Sequence, residues 1–143
     1  MDGVDPCSLL TPQQRVTLGL QSEPTASRPY VALFRGDVPT CKISGSSPGS
    51  KILGIGTVTS VGVERWREND VAAQLRPTII EGFPALVTTP TQSRKYCGVE
   101  VDVAPGQLLD VQVLDGGASA PQSELCTSAE QAATEIMKRL IAR

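Results

Sequence analysis

Between Tyr96 and Leu114 the chain alternates apolar and polar residues more regularly than anywhere else. Cys97, Val99, Val101 and Val103 fall on one side, with Gly98, Glu100 and Asp102 on the other. On the return, Leu109, Val111 and Val113 alternate with Asp110 and Gln112. Such a period marks strands with one buried face. Ala104-Pro105-Gly106-Gln107 carries turn chemistry, so the stretch reads as a β-hairpin. A plain Pro105-Gly106 loop would set Val101 opposite Asp110, apolar against charged on a shared face. The pattern therefore predicts a longer loop or a bulge near 104–108, keeping Val101 level with Leu109 or Val111.

Other segments fall into place around this hairpin. Thr11 and Gln14 form a T-x-x-Q capping box with Pro12 at the first helical position, predicting a short helix from Pro12 to Leu18 that ends at Gly19. Leu9, Leu10, Val16 and Leu20 would anchor it. Residues 21–29 read as a surface loop. Tyr30 to Phe34 is a short strand or a packed loop segment. Thr40 to Ser44 reads as a strand with Cys41 and Ile43 on one face. Lys51 to Ser60 is the next, with Leu53, Ile55 and Thr57 on one face and Gly54 and Gly56 on the other, beside Ile52 and Val58. Glycines on one strand face suggest close approach by another element, or a bend. A phosphate-loop reading of this stretch fails for want of GK[ST] or GxGxxG.

Val61 to Leu75 turns helical, with a mixed charged face and the single tryptophan, Trp66, as a core anchor; Arg76-Pro77 would end it. Thr78 to Glu81 and Ala85 to Thr89 look like strands around Gly82-Phe83-Pro84. Thr89 to Lys95 is a polar loop carrying Arg94 and Lys95. After a linker-like stretch at 115–123, a helix is predicted from Ser128 to about Ala142, capped by Thr127 and Glu130. Its apolar stripe is Ala129, Ala132, Ala133, Ile136, Met137, Leu140 and Ile141, with acids early and bases late to complement the helix dipole. The order of elements gives an α+β fold: a mainly antiparallel twisted sheet packed by N-terminal and C-terminal helices, with a central short helix. Residues 1–143 form one globular domain, with 1–5 as an added or flexible leader.

Composition narrows the chemistry. Hydrophobic content of 40% supports a real core, and 13 glycines with 11 prolines suit a turn-rich sheet protein. A net charge of −2 and 3% aromatic residues leave little to hold nucleic acid. Histidine is absent, which excludes Ser-His-Asp and Cys-His sites and the commonest metal ligand. No cofactor, metal site or catalytic residue is expected. Four cysteines, Cys7, Cys41, Cys97 and Cys126, form no CxxC pair. Two disulfides are the preferred reading, which implies an oxidising compartment; free thiols and a zinc site are the alternatives. The first residues have no signal-peptide core and Cys7 has no lipobox, so any export signal would lie upstream.

In their local words the cysteines resemble a family. Asp5-Pro6-Cys7 followed by Leu9-Leu10-Thr11-Pro12, then Gly82-Phe83-Pro84-Ala85, then Cys97-x-Val99-x-Val101-Asp102-Val103-Ala104 with Gly106-Gln107-x-Leu109, then Cys126 leading an alanine-rich helix, is similar to the actinobacterial lipoproteins of the domain-of-unknown-function 3558 family. Ile43 stands where that family often has an aromatic. The resemblance implies an exported, usually lipid-anchored envelope domain without established catalysis. The pairings expected with it are Cys7 with Cys126, tying the termini, and Cys41 with Cys97, cross-linking the sheet.

The functional expectation is a non-enzymatic, extracytoplasmic binding module. Its partner would be an envelope protein, a lipid or a glycan, not nucleic acid, and it would touch the membrane only through an upstream lipid anchor. A monomer is expected. Trp66, Phe83 and Tyr96 are candidate ligand-facing residues, on an open sheet face or in a crevice between the sheet and segment 61–75. One alternative is a cytosolic interaction domain with free thiols. Another is a hydrolase using Glu100, Asp102 and Asp110, recognisable by two buried carboxylates facing each other in a cleft.

Overall fold

A computed structural model describes residues 1–27, 31–91 and 95–143, with backbone alone at 31 and 32. Seven strands form one antiparallel sheet: β1 (Thr25–Ser27), β2 (Thr40–Ser44), β3 (Ile52–Val58), β4 (Ala73–Ile80), β5 (Phe83–Pro90), β6 (Tyr96–Ala104) and β7 (Gln107–Leu114). Their order across the sheet is β1-β2-β3-β7-β6-β5-β4. The helices are α1 (Pro12–Thr17), α2 (Val31–Phe34) and α3 (Gln122–Ile141), with 3-10 turns at Pro6–Ser8 and Val63–Arg67. This is the expected α+β class.

The β6–β7 hairpin lies in the middle of the sheet. Val101 pairs with Leu109 and Val99 with Val111, while a register shift between Asp102 and Ala104 supplies the predicted bulge. The turn is Pro105-Gly106, with Gly106 at φ 72°. Proline followed by a positive-φ glycine is the type II signature, and the bulge absorbs the mismatch between that turn and twisted strands. At the other hairpin the loop is only Glu81-Gly82, both at positive φ, so Phe83 and Pro84 belong to β5.

Each face of the sheet has its own cover. On the first, Cys41, Ile43, Leu53, Ile55, Val99 and Val111 pack beneath α3, which presents Leu125, Ala129, Ala132, Ala133, Ile136 and Met137. The small alanines let the helix lie close to the strands. Thr11 caps α1 with the expected reciprocal bonds to Gln14, at 3.1 and 2.9 Å. On the second face, Val58, Leu86 and Leu108 pack against Phe34, Val38 and Trp66.

Several local expectations are corrected. The helix expected over 61–75 is only the turn Val63–Arg67. Arg65 folds back to bind Asp70 at 2.6 Å and the Leu33 carbonyl, also at 2.6 Å, closing a compact loop rather than extending a helix. The residues after it form β4, where Pro77 is tolerated because β4 is an edge strand. Helix α3 starts six residues earlier than expected, at Gln122, with Pro121 in the cap position. Thr127 lies inside it, bonded back to the Ser123 carbonyl. The reason is Leu125, which extends the buried stripe by one turn, and Cys126, which anchors that turn to the sheet. Thr25–Ser27 forms a strand within the segment read as a loop, and Val31–Phe34 is a helical turn rather than a strand. Tyr30, like Arg28, Pro29 and Arg94, lies outside the described residues.

The disulfide pairing also differs. Cys7 bonds Cys41 and Cys97 bonds Cys126, with Cα separations of 5.1 and 4.9 Å, and no cysteine is free. The expected Cys7–Cys126 and Cys41–Cys97 pairs are not formed. Cys41 projects from β2 toward the first 3-10 turn, while Cys97 faces α3 from the neighbouring region of the sheet. Each bond ties a covering element to the strand beneath it, rather than strand to strand or terminus to terminus. Sequence separations of 34 and 29 residues make each worth about 3.5 kcal/mol in the loop-entropy account.

Candidate functional site

The second face of the sheet carries a polar floor within an apolar cover. Glu100 on β6 stands directly across from Asp110 on β7, and Leu86 on β5 is the other neighbour of Glu100. Both carboxyl side chains have 0% exposure. The hairpin's alternation places these acids on the face opposite the valines, and that face too is covered over two of the three. Asp102 pairs with Leu108, is half-buried, and stands outside the cluster.

Glycines make room for this floor. Gly56 lies opposite Asp110, and a Cβ there would come within 3.5 Å of Asp110 Oδ2. At Gly98 a Cβ would lie 2.4 Å from Thr88 Oγ1 and 3.0 Å from Glu100 Oε1. The close approach read from the glycines of β3 is thus made in part by a carboxylate. Thr88, itself fully buried, joins the cluster from β5.

Hydrogen bonding in the floor is sparse. Gln112 Nε2 donates to Asp110 Oδ1 at 3.2 Å. Glu100 Oε1 and Oε2, Asp110 Oδ2, Thr88 Oγ1 and Trp66 Nε1 have no partner at normal hydrogen-bond geometry. Asp110, Trp66 and Thr88 nonetheless lie close enough to act on Glu100 as hydrogen-bonding groups. Burial drives the Glu100 pKa well above the usual carboxyl range, and Asp110 raises it further, while Trp66 and Thr88 pull it down. Burial also pushes Asp110 up to about 6, against the opposing influence of Glu100 and Gln112. No cationic side chain contributes to either shift. Two carboxyls this close in a dry setting share a proton, and burial favours keeping it on the pair, with Glu100 shifted furthest from the usual range.

Beside the floor opens a crevice of about 540 Å³, walled by Leu33, Trp66, Tyr96, Gln112 and Leu114, with Lys95 and Asp115 adding one charge of each sign. Trp66 comes from the 3-10 turn, is 3% exposed, and packs edge-on against Phe34 at 6.3 Å. Tyr96 and Gln112 come from adjacent central strands, with Gly98 opposite Gln112. The side chains of Trp66 and Gln112 border both the crevice and the acid pair. Of the three aromatic candidates, Trp66 and Tyr96 meet here. Phe83 does not; it lines a second, apolar groove of about 450 Å³ with Val103, Met137, Leu140 and Ile141.

Thr88 and Gln112 were not singled out from the sequence. Of the two registers expected for the hairpin, Val101 level with Leu109 or with Val111, the first is formed and sets Glu100 opposite Asp110. What it could not reveal was the lid over them. Among the described residues no group of three or more His, Cys, Asp or Glu side chains comes together as a metal site, and no helix is long and apolar enough to cross a membrane.

Fold and site define a doubly disulfide-bonded α+β domain with a buried acid pair beside an open crevice. The chain matches the model of a family described as protein of unknown function (DUF3558) over residues 1–139, and it belongs to that family. No curated protein and no solved structure matches it. The two disulfides fit an oxidising, extracytoplasmic setting.

Proposed function

We propose that the chain is an exported cell-envelope domain that binds a ligand without transforming it, and that the crevice beside Trp66 is the seat. The observation that carries this reading is the crevice itself. Its volume lies in the range of small-molecule sites, and its walls combine aromatic and aliphatic surface with a few polar groups. An upstream lipid anchor would hold such a domain at the outer face of the membrane. The cytosolic alternative requires free thiols, whereas all four cysteines are paired.

The hydrolase alternative has a specific observation behind it, since two buried carboxyls do face each other. Glycosidic hydrolysis needs both carboxyls to reach the sugar, about 5 to 10 Å apart, flanking the scissile bond. Here both are wholly covered and lie on directly paired residues. That favours binding over catalysis.

Trp66 is the only tryptophan, so its indole NH resonance reports this site alone. A fragment library of charged, neutral polar and apolar compounds, screened by NMR, should yield ligands that shift the Trp66 indole together with the Tyr96 and Gln112 amides. Hits confined to the groove around Phe83 and Met137, or no hits at all, would sink the assignment.

A further inference from the structure

We infer that the crevice recognises a ligand carrying a primary ammonium group, which the Glu100–Asp110 pair receives in exchange for its shared proton. This rests on the crevice being the ligand seat and adds the chemistry of its ligand.

The argument begins with what the floor has and lacks. It contains two carboxyl groups, both wholly buried, and three of their oxygens (Glu100 Oε1, Glu100 Oε2 and Asp110 Oδ2) have no hydrogen-bond partner. Buried carboxylates are ordinarily paired with a cation or neutralised by a proton. The buried cation among the described residues is not available: Arg65 is committed to Asp70 through both terminal nitrogens and to the Leu33 carbonyl through Nε. Lys95 donates to the Ala120 carbonyl at 3.3 Å. Trp66 Nε1 and Thr88 Oγ1 act on Glu100 as hydrogen-bond donors, and the other open valences of the floor are carboxyl oxygens. A primary ammonium is the complementary group, with three donors and no acceptor.

The ligand's route would pass through the shared walls, since neither Glu100 nor Asp110 lines the crevice itself. Gln112 is half-buried, lines the crevice, and touches Asp110 Oδ1. Turning its amide aside would bring a ligand in the crevice to the acid pair. Trp66 forms the opposite boundary, and its indole face is suited to a cation. Thr88 Oγ1, unpartnered and fully buried at the Glu100 side, offers a further acceptor. Gly56 and Leu86, which stand across from Asp110 and Glu100 on β3 and β5, carry no charge.

Proton balance follows from the arrangement. In the free protein the pair holds one shared proton above the Asp110 titration. When R–NH3⁺ enters, that proton leaves to solvent and the ammonium takes its place between two carboxylates. One proton is released per ligand bound above the Asp110 titration at about 6, and up to two below it, where Asp110 also holds one. Affinity should fall up to tenfold for each pH unit lowered through the range in which the pair keeps its proton.

The test uses n-butylammonium chloride as probe, with 1-butanol and tetramethylammonium chloride as controls that lack charge or N–H donors. Binding is followed by the Trp66 indole resonance and by calorimetry in two buffers of different ionisation enthalpy, at about pH 5, 6.5 and 8. The expected result is binding of butylammonium alone, release of about one proton at pH 6.5 and 8, and affinity at least tenfold weaker at pH 5 than at pH 8. Glu100→Gln and Asp110→Asn should each abolish binding while keeping the amide spectrum of a folded protein, and Thr88→Val should weaken it. The inference is overturned if 1-butanol or tetramethylammonium binds equally well, if no proton is released, or if the two carboxamide variants still bind. It is also overturned if butylammonium moves nothing at pH 8 while uncharged fragments shift Trp66; the crevice then remains a ligand seat, but not for ammonium. If neither class shifts Trp66, the seat itself is wrong.

Discussion

The acid pair should make this domain lose stability as pH rises, the reverse of what most carboxyl groups do. Asp110 titrates at about 6 in the folded protein against 3.8 for the free side chain. Between those values the folded state holds a proton that the unfolded chain has released. Unfolding then releases protons, so stability is fully present below about pH 4 and declines through about pH 6. At about 1.4 kcal/mol per pH unit, the displacement corresponds to about 3 kcal/mol. Glu100 is shifted in the same direction and extends the decline to higher pH. Asp70, held low by Arg65, and Glu135, held low by Lys138 and Gln14, work in the opposite sense and lose their contribution only under more acidic conditions. Urea unfolding measured from about pH 4 to 8 should therefore give a maximum near the acid end. Asp110→Asn keeps the oxygen that Gln112 binds and removes the charge. It should change little near pH 4 and stabilise by up to about 3 kcal/mol near pH 8, flattening the profile. A wild-type profile that rises steadily from pH 4 to 8, or an Asn variant with an unchanged slope, would refute the shared-proton account.

Two further outcomes follow from packing. Replacing Cys97 and Cys126 together by serine should cost about 3.5 kcal/mol and loosen the start of α3; Cys7 with Cys41 should cost a similar amount, and reductant should lower the melting temperature of the parent protein. Gly98→Ala should destabilise by about 1 to 3 kcal/mol, because the new methyl meets Thr88 Oγ1 at 2.4 Å, and Thr88→Ala in the same chain should recover part of the loss by chemical denaturation.

The parts of the fold legible in sequence were those where a local pattern and the tertiary environment agree. The β6–β7 hairpin is one case: strict alternation, turn residues and the need to keep Val101 off Asp110 together demanded the bulge that is present at Asp102–Ala104. The Thr11–Gln14 cap is another, since both of its bonds are made within four residues. Segment 61–75 was misread because its charges suit a helix surface, yet Arg65 is buried at 4% exposure and spends its donors on closing a loop. The cysteine pairing failed for a related reason. Knowing that Cys41 and Cys97 begin strands does not say which face each presents, nor which covering element lies above it.

The same limit explains why the acid pair could be located but not understood from the chain. Register alone sets Glu100 opposite Asp110, and on an open sheet face that would be an exposed repulsion of little consequence. The pair acquires its character only when Phe34, Val38 and Trp66 close over it, and these arrive from segments whose local patterns were ambiguous. Glycines at 56 and 98 then matter as much as the acids, because a side chain at either place would crowd the carboxyls. A sheet face that devotes glycine positions to housing two buried acids that share a proton gains little stability from them where apolar residues could pack. The proposed exchange of the pair's proton for a ligand's ammonium group is one use for such a floor, and it requires the Trp66–Gln112 boundary to open.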